Sequence, residues 1–249
     1  MANEPKEPTF LTYLRSIRHM PRSVALVCLT NYFSWMSLVC YSLYFTDFVG
    51  EVVYNGEATA PYGSELRLIY ENGVRFGACG MALYSFTCCI YSMTAEKIYK
   101  KIGLKYTYAL GPLLYSFGLV LLILVRAKWT AVILSFTAGL MYSTLFTMPY
   151  ILIGKYHSHQ MFDKFLDEDD EQRRLNDPQQ RESQKPAQVR GLGTDIALVS
   201  SMVFLAQFTV AITAGPLSHA VDSPVVVFVM GAIAAATTTF LSLKLYYPT

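Results

Sequence analysis

The chain has 249 residues, 53% of them hydrophobic and 15% charged, with a formal net charge of +2 and a mean hydropathy of +0.32. A soluble domain ordinarily carries about 25% charged residues, so this composition excludes an ordinary soluble domain, and the near-neutral balance points to no nucleic-acid partner. The charges are bunched into short segments separated by long uncharged tracts, the pattern of an all-α, polytopic membrane protein.

The N-terminal MANEPKEPTF carries Glu4, Lys6 and Glu7 before any apolar run begins, which is unlike a cleavable signal. Residues 1–19 read as a cytoplasmic N-terminal segment. Residues 20–249 read as a six-helix transmembrane bundle, because six apolar runs reach the roughly 20 residues that a spanning helix needs. They lie near Val24–Phe48, Val74–Met93, Tyr106–Val125, Trp129–Ile153, Ile196–Ala214 and Pro224–Tyr247. A barrel would show shorter, alternating segments. Between the fourth and fifth runs, residues 155–190 contain DEDDEQRRLNDPQQRESQKP, a dense mixture of charge, Gln and Pro that predicts a mobile loop. MFDKFL ahead of it predicts a short interfacial helix with Met161, Phe162, Phe165 and Leu166 turned toward lipid. The acidic run from Asp167 to Glu171 lacks the glycine turn and alternating ligands of a calcium loop and reads as solvated charge.

Only Arg67, Arg75, Arg126 and Lys128 fall on one side of this arrangement; the other sixteen of the 20 basic residues fall on the side of the two termini. The excess of Lys and Arg predicts that both termini and the 155–190 loop are cytoplasmic. Asp47 and Glu51 then lie at the outer or lumenal end of the first helix. The membrane itself, plasma or organellar, is not specified.

Cys28, Cys40, Cys79, Cys88 and Cys89 all fall in apolar runs and read as small packing residues. His157 and His159 read as loop residues, two ligands being too few for structural zinc; no metal or cofactor is expected. The polar residues inside the runs are the candidate functional ones, since lipid cannot satisfy them. Asn31 and Trp35, four apart, share a face of the first helix. Arg75 opens the second, and Gln207 lies midway along the fifth. With Asp47, these four are candidates for a substrate path or its gating. Asp195 begins the fifth helix, where a carboxylate either caps the helix dipole or couples to a proton. Glu51 is open to the same two readings of water-boundary residue or proton site. Gly73, Gly77, Gly80, Gly111 and Gly118 permit close helix contact, and Pro149 and Gly215-Pro216 mark bends or ends.

The motifs FTDFVGEVVYNG, YENGVRFGACG, TMPYILIGKYH, RGLGTDIALVSSMVFLAQF and AGPLSHAV, in this order, resemble the C-terminal half of the plant sucrose transporters and their animal relatives, solute carrier family 45, with the animal branch the closer. The resemblance covers the chain from about His19 onward. It implies one half of a major-facilitator fold, in which a proton-coupled symporter of sucrose- or glucose-type sugars works by alternating access. Asp47 matches the aspartate of the family's threonine-aspartate-aromatic motif, Arg75 the arginine of its glycine-valine-arginine motif, and Gln207 the glutamine midway along helix eleven. Plant members follow the glycine after that aspartate with arginine and glutamate, whereas Gly50 is followed by Glu51 and Val52. The implied partners are sugar and proton, the lipid bilayer, and either the missing N-terminal six-helix half or a second copy. A lone half is expected to be inactive. The alternative is a truncated isoform acting as a non-transporting membrane scaffold or regulatory partner. An enzyme is not expected, as no nucleophile-base pattern or phosphate loop is present.

Overall fold

The computed structural model describes residues 21–158 and 192–247. They form an all-α bundle: α1 (Arg22–Phe48), continued by a π-helical segment (Val49–Val53), α2 (Glu65–Ile102), α3 (Leu104–Val125), α4 (Lys128–Ser158), α5 (Leu192–Val221) and α6 (Val225–Lys244). No strand occurs among the described residues. All six helices are long and apolar enough to cross a membrane, as half of a major-facilitator fold requires. The N-terminal segment, the interfacial MFDKFL and nearly all of the acidic loop lie outside the described residues.

The uncharged runs set the depth of each helix. In α1 it extends from Ser23 to Thr46, in α2 from Phe76 to Ala95, in α3 from Tyr106 to Val125, and in α4 from Trp129 to Gly154. Charged residues stand at both ends of these runs, because moving them into hydrocarbon is costly. Arg22, Glu96, Lys105, Lys155, Asp195 and Lys244 thus mark one end of the bundle, here called the terminal end. Asp47, Arg75, Arg126, Lys128 and Asp222 mark the opposite end.

Several helices outrun their hydrophobic signals. The α2 helix has 38 residues, about 57 Å at the usual rise, so its charged ends project past a hydrocarbon core of about 30 Å. Ser64 caps it by accepting from the Arg67 amide. A single residue, Gly103 at φ 96, turns the chain from α2 into α3, a left-handed conformation that glycine adopts without a Cβ penalty. Helix α4 runs through Lys155, Tyr156 and His157, which corrects the placement of these three residues in a loop. Helix α5 continues through Pro216 to Val221, so Gly215-Pro216 does not end it; membrane helices tolerate the lost amide.

Helix α1 is central, packing against α5 and α6 and touching α2 and α4; α3 lies between α6 and α4, and α2 lies along α4. The main core joins Tyr41, Phe45 and Phe48 of α1, Tyr115, Leu119 and Leu122 of α3, Leu134 and Met141 of α4, and Phe228 of α6. Lipid tails are as apolar as leucine, so close backbone contact and interhelical hydrogen bonds do much of the work of association. Ser37 Oγ donates to the Gly231 carbonyl at 2.6 Å, and Ser92 and Ser143 hydroxyls meet at 2.7 Å. A Cβ on Gly73 would lie 2.6 Å from Gly50 Cα, so these two glycines let α2 touch the end of the first span. By contrast, a Cβ on Gly154 meets nothing within 4 Å. Gly73→Ala is therefore expected to destabilise the bundle by about 1–3 kcal/mol, the usual cost of overpacking, while Gly154→Ala leaves it unchanged or slightly firmer. Thermal unfolding of the two variants in detergent checks this.

Candidate functional site

At the opposite end, Asp47 occupies the last turn of α1, half-buried. The Tyr70 hydroxyl of α2 donates to Asp47 Oδ1 at 2.8 Å. The Tyr70 ring lies over Gly50, where a Cβ would sit 2.6 Å from Tyr70 Cδ2. The Arg67 guanidinium stands 5.3 Å from that ring and pairs with Glu71 at 3.4 Å. Arg75 is exposed and forms no ion pair among the described residues. Asp47 and Arg75, both candidates for the gate, are thus not paired in this conformation. Tyr70 takes the place of Arg75 because Gly50 leaves room for an aromatic ring between the two helices. Glu51, in the π-helical segment, instead lines a separate cleft with Asn55 and Arg126.

At mid-depth, the centres of α1, α2 and α4 bring four aromatic rings together. Trp35 meets Phe146 at 5.3 Å and Tyr142 at 6.1 Å, both edge-on. Tyr142 meets Phe146 at 4.6 Å and Tyr84 at 5.3 Å. Trp35, Tyr84 and Tyr142 are half-buried, and Phe146 keeps 47% of its surface open. The sequence signal for this cluster is the Tyr142/Phe146 pair, four apart at the centre of an apolar run, a spacing that puts both rings on one helix face. Sequence reasoning singled out Trp35 but missed the other three rings of the cluster, since nothing in α2 or α4 indicates that they meet α1.

Asn31 and Gln207 are not brought together. Asn31 is fully buried, and its Nδ2 donates to the Val199 carbonyl of α5 at 2.7 Å. Tyr32 bonds Thr209 of the same helix at 3.0 Å. Gln207, in the middle of α5, is exposed and hydrogen-bonds to nothing among the described residues. An amide at that depth needs a polar partner or water, because hydrocarbon offers neither.

At the terminal end, Asp195 is completely buried, and its Oδ2 lies 3.0 Å from His157 Nε2. His157 keeps 18% of its side chain exposed. The pair joins the first turn of α5 to the last turn of α4. His157 is therefore a helix residue paired with a buried carboxylate; His159 lies outside the described residues.

No protein-family model matches the chain. It is 33% identical over 223 residues to the mouse "Proton-associated sugar transporter A", covering 89% of this chain and 27% of that protein. It is 31% identical over 240 residues to the human "Membrane-associated transporter protein", covering 96% of this chain and 43% of that protein. A third relative, human "Solute carrier family 45 member 4", is 28% identical over 233 residues, 91% of this chain and 28% of the relative. This chain is a solute carrier family 45 homologue. It spans between about a quarter and under half of the length of these relatives, which are named as transporters rather than enzymes. The FTDFVG and YENGVRFGACG segments that carry the family resemblance are the ones that meet at the Asp47–Tyr70 and Gly50–Gly73 contacts.

A double-mutant cycle distinguishes Tyr70 from Arg75 as the partner of Asp47. Asp47→Asn combined with Tyr70→Phe is expected to show a coupling of about 0.5–1.5 kcal/mol in detergent unfolding, the worth of one hydrogen bond. Asp47→Asn combined with Arg75→Gln is expected to be additive.

Proposed function

We propose that this chain forms the C-terminal half of a proton-coupled sugar symporter, of sucrose or glucose type, that works by alternating access against a second six-helix unit. The observation that carries the reading is polar and aromatic surface left open at mid-depth: Gln207 on α5, and the Trp35, Tyr84, Tyr142 and Phe146 rings. In transporters of this architecture the substrate sits near the midplane, between two bundles that rock around it. Aromatic faces suit the apolar C–H face of a sugar ring, and an amide such as Gln207 suits its hydroxyls. The relatives' name, "Proton-associated sugar transporter A", supports both the sugar and the proton.

Within this reading, the proton site is the His157–Asp195 pair. A buried carboxylate beside an imidazole changes its hydrogen bonding when either group gains a proton, and the pair joins two helices whose relative movement would open or close the terminal end. At the opposite end, Asp47 with Tyr70 serves as the gate, Arg75 being available to replace Tyr70 when the helices shift. The distribution of Lys and Arg supports a cytoplasmic location for both termini.

Uptake of labelled sucrose and glucose into vesicles carrying the native protein that contains this sequence tests the proposal. Tyr142→Phe is expected to retain uptake, because the ring persists, whereas Trp35→Ala and Tyr142→Ala are expected to lower kcat/KM by about five- to thirtyfold, the loss of one or two kcal/mol of stacking. Uptake unchanged in both alanine variants overturns the aromatic site. Asp195→Asn is expected to abolish accumulation driven by a pH gradient while leaving sugar exchange across the membrane intact. Loss of both, with normal insertion, would assign Asp195 to the fold alone.

A further inference from the structure

The cleft beside Glu51 is separate from the midplane site and shares no lining residue with it. It has a volume of about 550 Å³ and is lined by Glu51, Asn55 and Arg126 together with Val225, Val226 and Val229. Its polar wall comes from span ends: Glu51 from the last turn of the first span, Arg126 from the residue after α3. Its apolar wall is the first turns of α6. Val229 lies one turn beyond Val225, about 6 Å deeper into the membrane, and remains 39% exposed. The cleft therefore runs from the water boundary into the hydrocarbon and changes character along that path as a phospholipid does.

Its charges are also arranged for a zwitterion. Glu51 and Arg126 line the same space but form no ion pair with each other among the described residues, so an acid and a base stand separated across it. Asp47 and Asp222 are within electrostatic range of Glu51, which makes that wall attractive to a cation. Among the described residues, the three non-glycine positions with positive φ are Asn55, Arg126 and Asp222. The first two line the cleft and the third lies between its lining residues Val221 and Ser223. Arg126 thus holds a left-handed backbone that glycine adopts more readily, at the residue that ends α3. Exposed Trp129, with Lys128 before it, marks the same level of the bundle, as interfacial aromatic and basic residues do.

We propose that this cleft is a binding site for a phospholipid with a primary-ammonium zwitterionic headgroup, phosphatidylethanolamine in chemical class. Arg126 receives the phosphate, Glu51 accepts from the ammonium, and Val225, Val226 and Val229 receive the upper part of an acyl chain. A guanidinium matches phosphate oxygens in charge and geometry. The carboxylate distinguishes ethanolamine from choline, because a trimethylated nitrogen has no proton to donate.

Native mass spectrometry tests the site, using the native protein that carries this sequence, taken from bilayers of equimolar phosphatidylethanolamine and phosphatidylcholine with identical chains. About tenfold retention of the ethanolamine lipid over the choline lipid is expected, the worth of one charge-assisted hydrogen bond, with a stepwise fall as the ethanolamine is methylated once and twice. Glu51→Gln should bring the two lipids to parity by losing the ethanolamine lipid alone. Arg126→Gln should lose both, and Arg126→Lys should keep the preference, which separates loss of the site from loss of the fold. Free phosphoethanolamine at the same concentration should not occupy the protein. Parity in the unaltered protein, an undiminished preference in Glu51→Gln, or equal occupancy by free phosphoethanolamine would each overturn the lipid assignment.

Discussion

Hydrocarbon offers no hydrogen bonds, and the rest of this structure follows from that deficit. Most buried hydroxyls return to their own helix: Thr30 donates to Leu26, Ser34 to Thr30, Ser135 to Ala131 and Thr144 to Leu140. The few that cross between helices decide which helices are neighbours. Ser37 ties α1 to α6, and Tyr115 ties α3 back to the Ser37 carbonyl. Asn31 ties α1 to α5, and Tyr41 reaches Ser135 of α4. These four involve α1, in keeping with its central place, while Ser92–Ser143 joins α2 to α4 and Tyr150–Ser200 joins α4 to α5.

The same deficit makes departures from satisfaction informative. An exposed amide in the middle of α5 is poorly suited to lipid, whereas exposed Phe204, Phe208 and Ile212 on that helix are well suited to it or to another apolar bundle. A carboxylate with no solvent access, as at Asp195, needs a partner of matching chemistry, and His157 supplies one at 3.0 Å. The two ends of the bundle thus differ in kind. The terminal end holds a buried ionisable pair between α4 and α5. The opposite end holds a tyrosine-to-aspartate hydrogen bond between α1 and α2, over a glycine contact that leaves the two backbones nearly touching.

The sequence by itself determined the class, the number of spans and their depth, because hydropathy and charge act locally: a run of about 20 uncharged apolar residues has few places to be other than a membrane. It also supplied the family through FTDFVG and GVRFGACG, and it marked Asp47, Asn31 and Asp195 as polar residues needing an explanation. Tertiary structure alone decided who satisfies each of them. Tyr70 rather than Arg75 meets Asp47, because a ring fits over Gly50 while Arg75 points away. His157 meets Asp195 because α4 continues one turn past its apolar run, which a charged tail such as Lys155 conceals. The rings that meet Trp35 come from α4, more than a hundred residues away, and of the cleft's two charged residues Glu51 stands 75 positions before Arg126 in the chain. Hydropathy reports how each residue relates to the solvent; which residues meet depends on how helices cross, and that is fixed by close contacts such as Gly50–Gly73 that no single segment encodes.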